Sequence, residues 1–380
     1  MSKKYAIFIT ALFCVFLFGF GAAFFLLPDK EFSEQENRYL AQMPTLDFGK
    51  WSLLGKSGNF FNGKFMEDFE DYVVDQFPLR DGWIRLKSRS ERALGKQENN
   101  KVYFGADGQT LFAHFTRPTD EELAKRVEYV NQLAAKTNVP VYFALIPDKS
   151  YVWADLLPAH APNVDDGSLL ADARALCAGD VTWIDLALSG DDAFYRTDHH
   201  WSTMGAYQGY QAIAQALNGF YTAPTGDPTL VSDSFYGTTW SSAGAGWVKP
   251  DSIYTMVAEE GIEVTRYPEG KPVAGELYDE TWLEKKDKYS MFLGGNQPLC
   301  IIQNPEASTD QKLLIVRDSY TDSLAPFLAQ DYAEIHLIDL RYCKIPPSTY
   351  IQENGIDQAL VLYSAANFAS DNNLFLLGLG

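Results

Sequence analysis

From Thr119 onward, short apolar runs rich in β-forming residues alternate with stretches of helical spacing, and that alternation leaves the chain few architectures. Thr119 followed by Glu122 is a capping-box pair, opening a helix expected to run to about Lys136. VPVYFALIP (139–147) is a continuous apolar run, the pattern of a strand covered on both faces. A helix over 167–177, the strand VTWID (181–185) and a helix over 203–217 closed by Asn218-Gly219 repeat the theme. It resumes with KLLIV (312–316), a helix from Thr321, EIHLIDL (334–340), a helix near 347–354 and QALVLYS (358–364). Strands and helices in this order build parallel βαβ units with helices on both sheet faces. The expected class is α/β, a parallel sheet interrupted by an irregular, β-leaning insertion at about 220–310, where Gly, Pro, Ser and Tyr are frequent.

Near the N-terminus, Tyr5–Leu27 carries no charge. As a helix it is roughly 35 Å long, enough to cross a hydrocarbon core of about 30 Å. Lys3 and Lys4 precede it, so the positive-inside bias puts the N-terminus in the cytoplasm and the remaining chain outside. A cleaved signal peptide is the competing reading, although its apolar region is normally shorter. The chain then divides into a membrane anchor (1–28), a juxtamembrane or entry subdomain (29–118) and the α/β domain (119–380). Within the entry subdomain Phe60, Phe61, Phe65, Phe69, Tyr72 and Val73 recur near helical spacing and read as core, with Pro78 ending the helix. Arg85, Lys87, Arg89 and Arg92 read as a solvated face. Gly105-Ala106-Asp107-Gly108 reads as a hairpin turn between KVYF and QTLFA.

Fifty acidic against 31 basic side chains give a net charge of −19, which argues against a nucleic-acid partner. Four cysteines are too few for a disulfide scaffold, and Cys177, Cys300 and Cys343 read as small buried hydrophobes. No cofactor and no metal are expected.

Two positions can carry chemistry. In Arg196-Thr197-Asp198-His199-His200-Trp201, an extended backbone projects Asp198 and His200 to one side and His199 to the other. A carboxylate on one imidazole nitrogen fixes the tautomer and stabilises the imidazolium formed when the other nitrogen takes a proton. The plainer reading is a helix start capped by Asp198 or Ser202. In Val316-Arg317-Asp318-Ser319-Tyr320 a buried strand turns into a helix, placing a serine hydroxyl at the carboxyl edge of the sheet near helix-start N–H groups. Its plainer reading is again a helix cap.

RTDHHW (196–201), followed by Gly205-Ala206-Tyr207, resembles the signature of the bacterial DHHW proteins. Glu36-Asn37-Arg38, DQFPLR (75–80), RDSY (317–320) and DLRY (339–342) support the resemblance. That family is similar to the alginate O-acetyltransferase proteins, whose catalytic domain is SGNH-hydrolase-like and places Asp-x-His before the serine, as here. The resemblance implies Asp198 as orienter, His200 as general base and Ser319 as nucleophile. Lys149, Arg196, Trp201, Arg317 and Tyr320 become substrate-binding or supporting residues, with Lys149 in an Ile146-Pro147-Asp148-Lys149 loop like one beside the acetyltransferase site. Arg317 stands where SGNH proteins carry the glycine of Gly-Asp-Ser, and Asn367 is the position considered for an oxyanion-hole asparagine. The implied function is that of a membrane-anchored, extracytoplasmic serine O-acetyltransferase or esterase of cell-surface polysaccharide. Its implied partner is a membrane-bound O-acyltransferase supplying acetyl groups. A non-catalytic glycan-binding protein, using Tyr236, Trp240, Trp247 and Tyr254, is the alternative. A metal-dependent phosphoesterase built on Asp198, His199 and His200 is a second one.

Overall fold

The computed structural model describes residues 2–49, 51, 52, 55, 56 and 58–380. They form two compact units, one of residues up to Lys96 with Gly244–Gly246, the other of Gln97–Ala243 with Trp247–Gly380.

The smaller unit begins with the helix Lys3–Leu26, whose start is capped by the Ser2 hydroxyl accepting from the Tyr5 N–H. None of its residues is buried, and among the described residues it is the one helix long and apolar enough to cross a membrane. Helices Lys64–Asp75 and Arg80–Ala93 follow, separated by a turn containing Pro78, which cannot continue a helix. Two quoted motifs interlock here. Arg38 donates to both oxygens of Asp75 at 2.7 and 2.6 Å, while Glu36 lies 2.9 Å from Arg80. The Arg38 bonds outweigh partial burial and hold the Asp75 carboxyl below its ordinary range. The aromatic stripe is only partly core. Tyr72 is buried, but Phe60 and Phe61 are about half exposed (48% and 50%) because they precede the helix and lie off its packed face.

The larger unit is built on an eight-stranded sheet. Its strands are β1 (Val141–Ile146), β2 (Val181–Trp183), β3 (Glu263–Arg266), β4 (Val273–Gly275), β5 (Leu299–Gln303), β6 (Thr309–Arg317), β7 (Tyr332–Ile338) and β8 (Gln358–Ser364). They lie in the order β4-β3-β5-β7-β6-β8-β1-β2. The five from β7 to β2 are parallel, as the alternation predicts, and β5, β3 and β4 extend the sheet antiparallel. The stretch 220–310 therefore does not stand apart from the sheet. Three of its segments are strands of the sheet, with β4 at the edge, and Cys300 and Ile302 of β5 are buried on alternate positions. That period-2 signal was too short to stand out among the surrounding Gly and Pro. The turn at 105–108 joins Val102–Phe104 to Leu111–Ala113 in antiparallel register, with Gly108 at φ 69°.

All seven residues of β8 are buried, as are the last five of β6. One face packs Phe143, Leu145, Leu314, Val316 and Val361 against helices Asp120–Lys136 and Pro347–Asn354. The other packs Ala144, Ile146, Leu313, Ile315 and Leu360 against helices Thr203–Asn218 and Thr321–Leu328. Each fully buried aliphatic side chain contributes about 1.5–3 kcal/mol, so both faces of the central strands hold the domain together. The capping box is present as read: Thr119 Oγ1 accepts from the Glu122 N–H and Glu122 accepts from the Thr119 N–H. The parallel strands deliver the ends of β1, β6, β7 and β8 to one edge of the sheet, where the site lies.

Candidate active site

The DHHW segment is the tip of a tight hairpin. Phe194 pairs with Trp201, the Tyr195 N–H donates to the His200 carbonyl, and the Ser202 N–H donates to the Ala193 carbonyl. The polar groups of the tip are met by buried charges on either side. The Lys149 ammonium, from the turn after β1, donates to the carbonyls of Tyr195, Arg196 and Asp198 at 3.1, 3.3 and 2.6 Å. The Asp251 carboxylate accepts from the N–H groups of Arg196 and Thr197, from the Thr197 hydroxyl and from Arg196 Nε. Burial pushes Lys149 down to about 8, although Asp148, Asp198, Asp251 and Asp107 oppose the shift. Loop backbone at this depth must be paired, and two oppositely charged side chains do it.

Trp201 fixes the hairpin to the serine turn. Wholly buried, it donates from Nε1 to the Tyr320 carbonyl at 2.9 Å and to Ser323 Oγ at 3.0 Å. Its ring lies against Gly209, where a Cβ would fall 2.7 Å from the indole. Ser202 is the helix cap, accepting from the N–H groups of Met204 and Gly205. Asp198 takes no part in the cap.

Asp198, His200 and Ser319 meet. His200 Nδ1 lies 2.5 Å from Asp198 Oδ1, and His200 Nε2 lies 2.7 Å from Ser319 Oγ. Asp198 Oδ1 also accepts from the His200 N–H at 3.1 Å, while Oδ2 accepts from the Thr238 N–H and hydroxyl at 2.7 and 2.9 Å. Burial opposes its charge, but the His199 and His200 rings and the hydrogen bonds from His200 hold the carboxyl well below the usual range. An ionised acceptor puts the imidazole proton on Nδ1 and leaves Nε2 to accept from the serine hydroxyl. His200 stacks on Tyr289, with ring centroids 3.8 Å apart and planes within 9°. Tyr289 in turn donates to the Ser319 carbonyl at 3.0 Å.

His199 departs from the expected geometry. On a hairpin tip it does not project away: its ring lies 3.9 Å from that of His200, and Nδ1 bonds to Thr238 Oγ1 at 2.8 Å. Desolvation and the adjacent His200 hold it down to about 3. The donor atoms of Asp198, His199 and His200 lie within 4.8 Å of one another. Hydrogen bonds already engage both Asp198 oxygens, both His200 nitrogens and His199 Nδ1.

Beneath the serine, Arg317 is wholly buried, with Nη1 2.8 Å from Asp322 Oδ1 and 3.3 Å from Asn296 Oδ1. Burial pushes Asp322 up to about 6, although Arg317 and His200 draw it down. Asp318 ties the serine turn to the end of β8. Its Oδ2 accepts from the N–H and hydroxyl of Ser364 and from Asn367 Nδ2, each at 2.8 Å, and its Oδ1 accepts from the Tyr320 N–H. Asn367 is thus committed to Asp318. The Tyr320 hydroxyl donates to the His199 carbonyl. Among the described residues, no acceptor engages the Ser319 N–H.

The structure thus brings Lys149, Arg196, Trp201, Arg317 and Tyr320 around the three central groups. The residues that sequence reasoning missed, Gly237, Thr238, Asp251 and Tyr289, all lie in the 220–310 stretch. A Cβ on Gly237 would fall 2.2 Å from Asp198, so the glycine is required there. None of the four sits in a motif or a periodic run that points to it.

Comparison with known proteins matches this architecture to the SGNH-like α/β class. Residues 106–230 match the family model of the SGNH hydrolase-like domain of acetyltransferase AlgX, and residues 187–338 match that of the DHHW protein. Among individual proteins, the chain is similar to a probable alginate O-acetylase AlgJ of Azotobacter vinelandii, 22% identical over 259 residues. That match takes in 61% of this chain and 66% of the relative, just under two thirds of its length. A DHHW family protein from Eubacterium siraeum has the same fold, with a TM-score of 0.61 and 20% identity, over 73% of this chain and 95% of that one. PatB1 of Bacillus cereus, solved with a sulfonyl adduct, gives 0.59 and 22% over 72% and 97%.

Proposed function

We propose that this chain is a membrane-anchored, extracytoplasmic serine O-acetyltransferase or esterase acting on cell-surface polysaccharide, with Ser319 as nucleophile, His200 as general base and Asp198 as orienter. One observation carries the reading: Ser319 Oγ, both ring nitrogens of His200 and Asp198 Oδ1 form a continuous chain of bonds at 2.7 and 2.5 Å. The similarity to proteins named as alginate O-acetylase and acetyltransferase supports the reaction class. The N-terminal apolar helix supports the anchor, with the N-terminus in the cytoplasm and the larger unit outside.

In the proposed reaction the Ser319 hydroxyl proton moves to His200 Nε2 as Oγ attacks the acetyl carbonyl. The imidazolium is held by the ionised Asp198, and Tyr289 keeps the ring plane fixed by stacking on it. The Ser319 N–H is a free donor for the tetrahedral oxyanion, a contribution of about 3–4 kcal/mol in comparable sites. His200 returns its proton to the leaving group, leaving acetyl-Ser319. A sugar hydroxyl, deprotonated by His200, then takes the acetyl group as its bond to Ser319 Oγ breaks and His200 returns the proton to Oγ; water in place of the sugar releases acetate, the esterase outcome. A membrane-bound O-acyltransferase is the proposed source of acetyl groups.

The full chain in detergent, wild type and Ser319→Ala, tests this with p-nitrophenyl acetate. Turnover that requires Ser319 and survives chelator is expected. Equal turnover by both forms defeats the proposal.

A further inference from the structure

The helix Arg80–Ala93 of the smaller unit carries an apolar stripe on its outer side. Leu79, Trp83, Leu86 and Leu94 follow one another at intervals of four, three and eight positions, a spacing that sets side chains on one helical face. All four are exposed, Leu86 to 54%, Leu79 to 74% and Leu94 to 89%. The other side is turned into the unit: Ser88 is buried, Arg80 lies 2.9 Å from Glu36, and Arg85 Nε donates to Gln35 Oε1 at 2.9 Å.

Cations border the stripe. Lys87 and Arg89 stand on its two flanks and are exposed. Lys87 lies 3.8 Å from Glu91 and Arg89 donates to the Gly246 carbonyl at 3.4 Å, solvent-facing contacts that hold a long side chain only weakly. The helix has five basic against two acidic side chains, in a chain whose net charge is −19. A helix with Trp and Leu on one face and Lys and Arg beside them suits a bilayer interface, where the apolar face enters the acyl chains and the cations reach lipid phosphates.

Trp83 also lies against the helix Lys3–Leu26. Its ring centroid is 6.3 Å from that of Phe16 and 5.8 Å from that of Phe20, and Phe77 stacks on Phe20 at 5.5 Å. Polar bonds hold the junction at the end of that helix. The Tyr72 hydroxyl donates to Asp29 at 3.1 Å, and Gln76 exchanges two hydrogen bonds of 2.9 Å with the Lys30 backbone. Along the helix axis Phe20 and Phe16 lie roughly 10 and 16 Å short of Leu27. The apolar span exceeds a hydrocarbon core of about 30 Å by only about 5 Å, so Trp83 lies at least about 5 Å inside that core when the helix spans it. Interfacial helices seat at this depth, roughly 5–10 Å.

We infer that the helix Arg80–Ala93 lies on the lipid surface at the outer face of the membrane, its leucines and Trp83 among the acyl chains and Lys87 and Arg89 on the phosphates. The occupant is lipid because the stripe continues, through Trp83, from a helix whose own surface faces lipid. The inference rests on the membrane anchor of the proposed function and is independent of the chemistry at Ser319.

The test uses the full chain with Cys14→Ala and Cys177→Ala, which removes the two partly exposed thiols and leaves the buried Cys300 and Cys343. One fluorophore is then attached at Val15→Cys, within the anchor, or at Leu86→Cys, on the stripe. Each labelled chain is placed in nanodiscs of equal parts phosphatidylcholine and phosphatidylglycerol, with acyl chains either plain or brominated. Bromination is expected to quench both labels at least about twofold. Adding Lys87→Glu with Arg89→Glu is expected to cut the quenching at Leu86 to about half and to leave that at Val15 unchanged. Quenching at Val15 without quenching at Leu86 would overturn the inference alone and leave the stripe to a protein partner. Quenching at neither position would overturn the anchor and the inference together. Unchanged quenching at Leu86 in the charge-reversed chain would overturn the part given to the two cations.

Discussion

Replacing Asp198 by asparagine exchanges one oxygen for an amide and leaves the shape of the side chain intact. Asp198 accepts two hydrogen bonds on each oxygen, from His200 N and Nδ1 on one and from Thr238 N and Oγ1 on the other. An asparagine has two placements. With its carbonyl toward His200, its NH2 meets the Thr238 N–H donor against donor, stranding a buried N–H at about 1–3 kcal/mol. With its carbonyl toward Thr238, both bonds there survive, and the NH2 faces His200. The ring then accepts at Nδ1 and carries its proton on Nε2, aimed at the serine oxygen it should deprotonate. Because Thr238 offers two donors and His200 can change tautomer, the second placement is the cheaper. The expected loss is therefore mostly chemical. We predict a kcat about 10⁴-fold lower, roughly 5 kcal/mol of barrier, with stability reduced by only about 1–2 kcal/mol through the lost His200 N–H bond. Turnover of p-nitrophenyl acetate at pH 7 and thermal melting of the same preparation measure the two quantities. A kcat within tenfold of wild type in a folded Asp198→Asn protein would refute the role given to Asp198.

Other perturbations separate positioning from chemistry. Arg317→Met strands the Asp322 carboxylate in a site with no exposure, and urea unfolding should show a loss of about 3–5 kcal/mol; Arg317→Met with Asp322→Leu should recover most of it, and no recovery would remove the ion pair from the account. Burial and the neighbouring Asp148 push Asp166 up to about 7. Its native form therefore keeps a proton that the unfolded chain releases near 4, and stability is lost as pH rises from about 4 to 7. Asp166→Asn should add about 2–4 kcal/mol at pH 8 and nothing at pH 4; an equal gain at both would contradict the shift. Gly237→Ala pushes a methyl into Asp198, 2.2 Å away, and should lower kcat about 10²-fold with the far-ultraviolet dichroism retained. Wild-type kcat there would mean that Asp198 need not hold its place.

The parallel core was legible because its strands announce themselves. β1, β6 and β8 are continuous apolar runs, and the Thr119–Glu122 box and Gly219 at φ 76° punctuate the helices. Asp198, His200 and Ser319 were legible as residue types at suggestive positions, yet their meeting depends on Trp201 bonding to the Tyr320 carbonyl across the fold. The supporting groups were not legible, for a physical reason. Thr238, Asp251 and Tyr289 act through long-range hydrogen bonds and, for Tyr289, a stacked ring, and such contacts leave no period in the sequence. His199 was placed on the wrong side because the i, i+2 rule holds for extended strands and fails at a hairpin tip. Phe60 and Phe61 misled for a similar reason: helical spacing was carried past the point where the helix starts at Lys64.

Intact-mass measurement of the full chain after treatment with a sulfonyl fluoride tests the nucleophile most directly. The account predicts a single adduct that maps to Ser319, disappears in Ser319→Ala and forms far more slowly in Asp198→Asn. An adduct on another residue, or one that persists without the Ser319 hydroxyl, would contradict it.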